Sequence, residues 1–535
     1  MTAQDDSFDF DLSRRRLLAA AGLAGGVVAS GALSAAGPAA AAGPQPARDP
    51  ATPPVAGLHL QFGADGSARM VVSWHTLAPV THPRVVLGRL DGRLEQTAAA
   101  ETVSYADGKS GHVVYAHHAT LDGLRADTAY LYGALHDGAE PRVSTFRTAP
   151  KGRARLTFTS FGDQGTPTMG RVLTLPDGVT LPRSATLAAT LWINDNLGSP
   201  AAADTTLGVE RIEPLFHLFN GDLCYANLAH DRVKTWWDFW ENNTRSASRR
   251  PWMPSPGNHE NELGNGSIGY LAYQTYFRVP AAAGQTETTR GLWYAFTAGS
   301  VRVISLANDD VTYQDAGDSY VRGYSAGAQK AWLETELAAA RHDPAIDWVV
   351  VCMHQVAVST SRTANGADLG IREEWMPLFD RHGVDLVVCG HEHHYERSHP
   401  VRGQEANATL TPKPAATDIH EIDTTGGTVH MVIGGGGTSR PSHTTFFDPP
   451  QCRVITAVGA VDPATGKRPP VYVTEPAPWS ATRNASHAYG FATFDVDPGA
   501  PGGATTMKVT YYDVDGPDGA LSPFESFTLR RPRRG

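Results

Sequence analysis

Cysteine is scarce in this chain, with four thiols in 535 residues. So few exclude a disulfide scaffold, and a thiolate-built metal site would need more of them, correctly spaced. Positive charge is also short. Lys and Arg total 45 against 55 Asp and Glu, for a formal net charge of −10. A dedicated binder of nucleic-acid backbone is more often basic, so that role is disfavoured. Long apolar runs are missing after the first forty or so residues, which excludes a multi-span membrane protein. What is present is a globular composition, 41% hydrophobic and 19% charged, in a chain long enough for two or more domains.

The one weakly apolar run lies at the N-terminus. It follows Ser13-Arg14-Arg15-Arg16-Leu17-Leu18 and ends in the small-residue stretch Ala39 to Ala42. A basic region, an apolar region and an A-x-A site form an export signal, and the paired arginines resemble a twin-arginine signal. The run is Ala- and Gly-rich rather than Leu- and Ile-rich, which argues against a retained anchor. Residues 1–42 are therefore expected to be a signal handled by the twin-arginine machinery. The mature chain is expected to be secreted, periplasmic or at the cell surface, with no membrane span.

Residues 43–54 are Pro- and Ala-rich and read as a linker. Residues 55–149 show short alternating runs separated by turns such as Ala64-Asp65-Gly66, the pattern of a β-sandwich. From residue 150 onward, strand-like runs alternate with helical periods, which points to an α/β domain. Strands are expected at Leu156–Phe161, Pro214–Phe219, Val301–Leu306, Asp347–Met353 and Val384–Cys389. Helices are expected at Leu228–Asn242, Ser325–Arg341 with Ser325 as a possible N-cap, and Glu373–His382. The tail from Ala488 returns to strands. Gly434 to Gly437 reads best as a tight turn, with close approach to a ligand as the alternative.

Five short motifs sit at the ends of these strands: Gly162-Asp163, Gly221-Asp222-Leu223-Cys224-Tyr225, Gly257-Asn258-His259-Glu260, Met353-His354 and Gly390-His391-Glu392-His393. In open α/β sheets ligands gather at the carboxyl ends of strands. Carboxylate, phenolate, amide and imidazole form a ligand set for hard to borderline metals. Each motif alone is weak; five in this order are strong.

That order, GD…GDxxY…GNHE…H…GHxH, resembles the metallophosphoesterase superfamily. Tyr225 and the Tyr395-Glu396-Arg397 extension resemble purple acid phosphatases in particular. The resemblance implies a four-layer α/β/β/α sandwich in residues 150–535, preceded by a fibronectin type III-like β-sandwich. It implies that Asp163, Tyr225 and His393 hold a ferric ion. Asn258, His354 and His391 would hold zinc, manganese or ferrous iron, with Asp222 bridging the two metals. His259 would act on the phosphate and Asn258 would help bind it. The implied activity is hydrolysis of small phosphate monoesters by in-line attack of a metal-bound hydroxide.

Two departures from the family are visible. No histidine follows His354 before His382, so the general acid is not assigned. Asp163 and Asp222 are separated by an insertion near 166–196, read either as a surface hairpin or as a substrate-covering loop. A Cys352–Cys389 bridge is possible, though buried free thiols are the plainer reading. Gly264 to Gly269 fits GxGxxG but follows a loop, so a dinucleotide site is rejected. Trp236, Trp237 and Trp240 are expected to be packing residues. A phosphodiesterase or nucleotide-releasing enzyme remains one alternative, and a cell-surface binding protein with a vestigial metal site another.

Overall fold

The computed structural model describes residues 52–90, 94–172 and 192–533. The expected signal and most of the linker lie outside the described residues. Among the described residues, no helix is long and apolar enough to cross a membrane.

Seven antiparallel strands between Ala56 and Arg147 build the N-terminal β-sandwich. The long strand Leu94–Ala106 serves both of its faces. Its first half pairs with Arg84–Arg89, and its second half pairs with Val113–Leu121. Strands Ala56–Phe62 and Met70–Thr76 are buried at every position. A freestanding sandwich would leave alternate residues wet. Here the helix Arg232–Ala247 covers the outer face, and His59 stacks on Trp240 at 3.8 Å. Trp236 and Trp240 are fully buried in this seam, as packing residues should be.

The body beyond it holds two seven-stranded sheets. In one, Phe216–Asn220 lies parallel between Leu156–Phe161 and Trp252–Ser255. In the other, Val301–Ser305, Trp348–Cys352, Leu386–Cys389 and Val429–Ile433 run parallel. Side chains of a strand alternate between faces, and the apolar clusters follow that period. Val350, Cys352, Leu386 and Val388 face the other sheet. Val349, Val351 and Val387 face Leu333 and Leu337 of the helix Ala328–His342. Between the sheets, Phe158 stacks on Phe494 and on Phe216 at 4.6 and 5.0 Å. The result is helix, sheet, sheet, helix. The Tyr395-Glu396-Arg397 extension clamps the two sheets together: Tyr395 and Arg397 both donate to Glu525 on the strand Ala520–Pro532.

Several expectations are corrected. The helix expected from Leu228 begins at Arg232, because the Asp231 carboxylate caps it by accepting from the Lys234 N–H. The helix expected from Ser325 begins at Ala328 after Gly327; Ser325 Oγ donates to Asp310 and accepts from the Gln329 N–H in the first turn. The helix expected over Glu373–His382 is two helices, Leu369–Glu374 and Met376–His382, divided at Trp375 ahead of Pro377. All four cysteines are free and buried, so Cys352 and Cys389 form no bridge, and Cys352 Sγ donates to Asn220 Oδ1.

Candidate metal centre

Each motif follows a buried strand, and the chain turns sharply there. Asp163, Asp222, Tyr225 and His391 all take positive φ, between 51° and 71°. That backbone is costly for a residue with a side chain and persists only where surroundings hold it. The two Gly-Asp loops hold each other: Asp163, Gln164 and Gly165 donate their N–H groups to the carbonyls of Gly221, Asp222 and Leu223. Two glycines allow the loops to close this far. A Cβ on Gly257 would lie 2.3 Å from Asp222 Oδ1, and one on Gly390 would lie 2.3 Å from Asp163 Oδ2. Gly390→Ala is expected to displace Asp163 and lower kcat/KM about 100-fold, since an ångström of misplacement costs that much. Steady-state kinetics with the variant's metal content measured alongside checks this.

Six of the seven predicted ligands form two triangles of lone-pair atoms. Asp163 Oδ1, Tyr225 Oη and His393 Nε2 lie 3.2–3.3 Å apart. Asn258 Oδ1, His354 Nε2 and His391 Nδ1 lie 3.0–3.2 Å apart. Asp222 stands beside the second triangle, with Oδ2 3.1 Å from His354 Nε2. Ligands about 2.1 Å from one cation, at right to tetrahedral angles, lie about 3.0–3.4 Å from one another. Both triangles therefore have the dimensions of a cation's coordination face. Asp222, His354 and His391 by themselves already bring their ligand atoms within 4.8 Å of one another.

The tautomers fit as well. His354 Nδ1 lies 2.7 Å from the backbone oxygen of Asn220, and His393 Nδ1 lies 2.6 Å from that of Arg440. A carbonyl only accepts, so each Nδ1 carries a proton, and each Nε2 is the nitrogen that faces the centre, where a metal would take its lone pair. His391 Nε2 meets Gln314 Oε1 at 3.1 Å, which frees its Nδ1 in the same way.

The electrostatics describe a site built for cations. Burial pushes the Tyr225 phenol well above its ordinary range, and the Asp163 and Asp222 charges push it further. Burial lowers His354, but the Asp222 carboxylate outweighs it and raises the imidazole to about 10. Burial instead keeps His391 and His259 below their ordinary range, and the proton that Asp222 draws onto His354 is one that metal binding would release.

The sequence left some contributors unassigned. Glu260 accepts from the N–H groups of Asp222, Leu223 and Gly257, tying the second motif to the third. Asn220, just before Gly221, bridges to Cys389 O through its amide. Both precede or end quoted motifs, which was the available signal. Gln314 and Arg440 lie outside every motif and gave none. The four-glycine run does more than turn. A Cβ on Gly434 would lie 2.8 Å from Asp163 Oδ2, and Thr438 N–H donates to Asp163 O, so the run packs directly beneath the centre.

His259 lies at the cleft floor. Its Nδ1 meets Asn227 Oδ1 at 2.9 Å, and its N–H donates to Asp222 Oδ1. Of the insertion, Arg171–Val172 pairs antiparallel with Trp192–Ile193. Residues 173–191, including the turn signal at 175–179, lie outside the described residues.

Residues 55–148 match the purple acid phosphatase N-terminal domain family, and residues 190–395 match the calcineurin-like phosphoesterases. An uncharacterized protein of Mycobacterium tuberculosis is 57% identical, over 99% of this chain and 98% of its own. Purple acid phosphatase 18 of Arabidopsis thaliana is 25% identical over 72% of each chain. The solved purple acid phosphatase of yellow lupin superposes with a TM-score of 0.63 at 20% identity, over 90% of this chain and 75% of its own. The fold is that of a metallophosphoesterase carrying an N-terminal β-sandwich. The chain belongs to the purple acid phosphatase family and is a phosphoric ester hydrolase. That family implies a binuclear metal centre.

Proposed function

We propose that the protein is an exported, binuclear metal-dependent hydrolase of small phosphate monoesters. The observation that carries this reading is the pair of ligand triangles with matched tautomers. In it, Asp163, Tyr225 and His393 hold a ferric ion, and Asn258, His354 and His391 hold a divalent one. Asp222, beside the second triangle, would be their shared anion. Bound there, the ions supply Lewis acidity toward the phosphoryl oxygens and a water of lowered pKa.

The chain's own residues do the rest. Asn227 Oδ1 accepts from the Nδ1–H of His259, so Nε2 is the nitrogen that meets substrate. It donates to a phosphoryl oxygen when protonated and accepts when neutral. Asn258 orients the same phosphate. In the reaction a bond forms between water oxygen and phosphorus, the ester P–O bond breaks, and the departing alcohol oxygen takes a proton. The acidic surface does not oppose this, because the local field belongs to the centre. The Arg14-Arg15 signal supports export.

A second reading, hydrolysis of diesters, is favoured by the shape of the cleft. It opens on both sides of Asn258 and His259, in lobes of about 450 and 400 Å³. A monoester needs room for one substituent and a diester for two.

The test is hydrolysis of phenyl phosphate and a matched diester by purified protein, before and after chelation and after metal is restored. Monoester turnover that chelation abolishes and metal restores is expected. Faster diester turnover would move the assignment to the second reading. A ferric–tyrosinate band near the visible, lost in Tyr225→Phe, is expected from the first triangle; a band that persists would remove Tyr225 from the ligand set.

A further inference from the structure

The two lobes of the cleft differ in charge. The lobe beside Asn258 and Gln314 carries Lys467 and Arg468, but Asp315 and Asp462 line it too. Its cations are also occupied. Lys467 Nζ donates to Gly317 O, and the Arg468 guanidinium lies 5.0 Å above the Tyr320 ring. The opposite lobe, beside His393, is lined by Arg440 and by the apolar Leu197, Leu228 and Pro441. The one carboxylate lining it is Asp222, which the proposed centre already uses. Among the described residues, Arg440 has no carboxylate partner.

Arg440 is also held firmly. It follows the glycine run that packs under Asp163, and its own carbonyl accepts from His393 Nδ1 at 2.6 Å. Ser439 N–H donates to Leu197 O, Ser442 N–H donates to His393 O, and Asn194 Nδ2 donates to Ser439 Oγ. The main chain is therefore pinned to the centre on both sides of the residue, while the side chain stands exposed at the cleft wall. A guanidinium can engage a planar anion through two parallel N–H donors, and this one springs from a main chain fixed at the centre.

We infer that Arg440 is a specificity-determining residue that binds a second anionic group, a carboxylate, on the esterified part of the substrate. This deepens the phosphomonoesterase reading and rests on it. The phosphoryl group lies at the centre, the carbon skeleton runs along Leu197 and Leu228, and the carboxylate reaches Arg440. The favoured substrates are then small phosphorylated carboxylic acids.

The matched probes are 3-phosphoglycerate and glycerol 3-phosphate, which share a three-carbon skeleton and differ by a carboxylate in place of a hydroxymethyl group. For the full chain with its metals bound, the ratio of their kcat/KM values is expected to favour the carboxylate by about tenfold or more, the worth of one charge-assisted pair. In Arg440→Gln that ratio is expected to fall to near unity, chiefly through KM for 3-phosphoglycerate, with Arg440→Lys in between. Circular dichroism and metal content of each variant show that the fold and centre persist. A ratio unmoved in Arg440→Gln overturns the inference, as does a ratio that moves in Lys467→Gln instead. If the wild-type protein cleaves neither ester nor phenyl phosphate, the phosphomonoesterase reading falls and takes this inference with it. Phenyl phosphate turnover without a carboxylate preference overturns only the inference.

Discussion

Asp222→Asn is expected to lower phosphate-ester hydrolysis by more than about 100-fold, with a matching loss of bound metal. Substituting partners that merely orient a ligand already costs 10–100-fold, and Asp222 is proposed as a ligand to both ions. Its carboxylate is buried, with Oδ2 3.1 Å from His354 Nε2 and Oδ1 accepting from the His259 N–H. Asparagine keeps the volume and removes the charge. Two cations held close together would then repel with no shared anion between them. The variant should fold, because the amide oxygen can still accept from His259 N–H. Metal analysis and steady-state kinetics check this, and a variant that kept both metals and wild-type turnover would sink the bridging role.

The second large effect is acid unfolding of the N-terminal sandwich. Burial lowers His59 and His117 to about 4, and His75 and His118 to about 3. All four lie in the strands Ala56–Phe62, Met70–Thr76 and Val113–Leu121. In an unfolded chain each titrates near 6.5. Above that pH neither state binds the proton and nothing is lost. As pH falls from 6.5 toward 4, the unfolded chain takes up protons that the native state refuses. At pH 5 each histidine then costs about 2 kcal/mol, and the four together about 8. That is comparable to the whole stability of a typical domain, about 5–15 kcal/mol. A cooperative transition near pH 5 is expected in tryptophan fluorescence, since Trp74, Trp236 and Trp240 report on this seam. His75 is the sharpest probe, because neither ring nitrogen has a hydrogen-bond partner. His75→Leu is expected to shift the midpoint to lower pH and to reduce proton uptake by one. An unchanged native spectrum at pH 4 would count against this account.

The large elements were legible because their periods are local. Apolar runs such as Trp348–Cys352 and Leu386–Cys389 could only be buried strands, and the ligand-bearing turns follow them directly. Helix boundaries were less legible. Asp231, Gly327 and Pro377 decide them by capping or breaking, while the apolar pattern runs past each point. Gln314 and Arg440 were silent because their roles depend on what the fold sets beside them, 77 positions from His391 and 47 from His393.

By itself the sequence determined which donor chemistry the chain can offer: few thiols, and seven residues with oxygen and nitrogen donors in a fixed order at strand ends. Residue type and local period are written along the chain, so these needed no coordinates. Only the tertiary structure decided which donors stand together, which imidazole nitrogen faces the centre, and which side of the cleft carries a cation without a carboxylate partner among the described residues. Those depend on distances of about 3 Å between residues far apart in the chain, and the packing of two sheets, through glycines with no room for a Cβ, sets them.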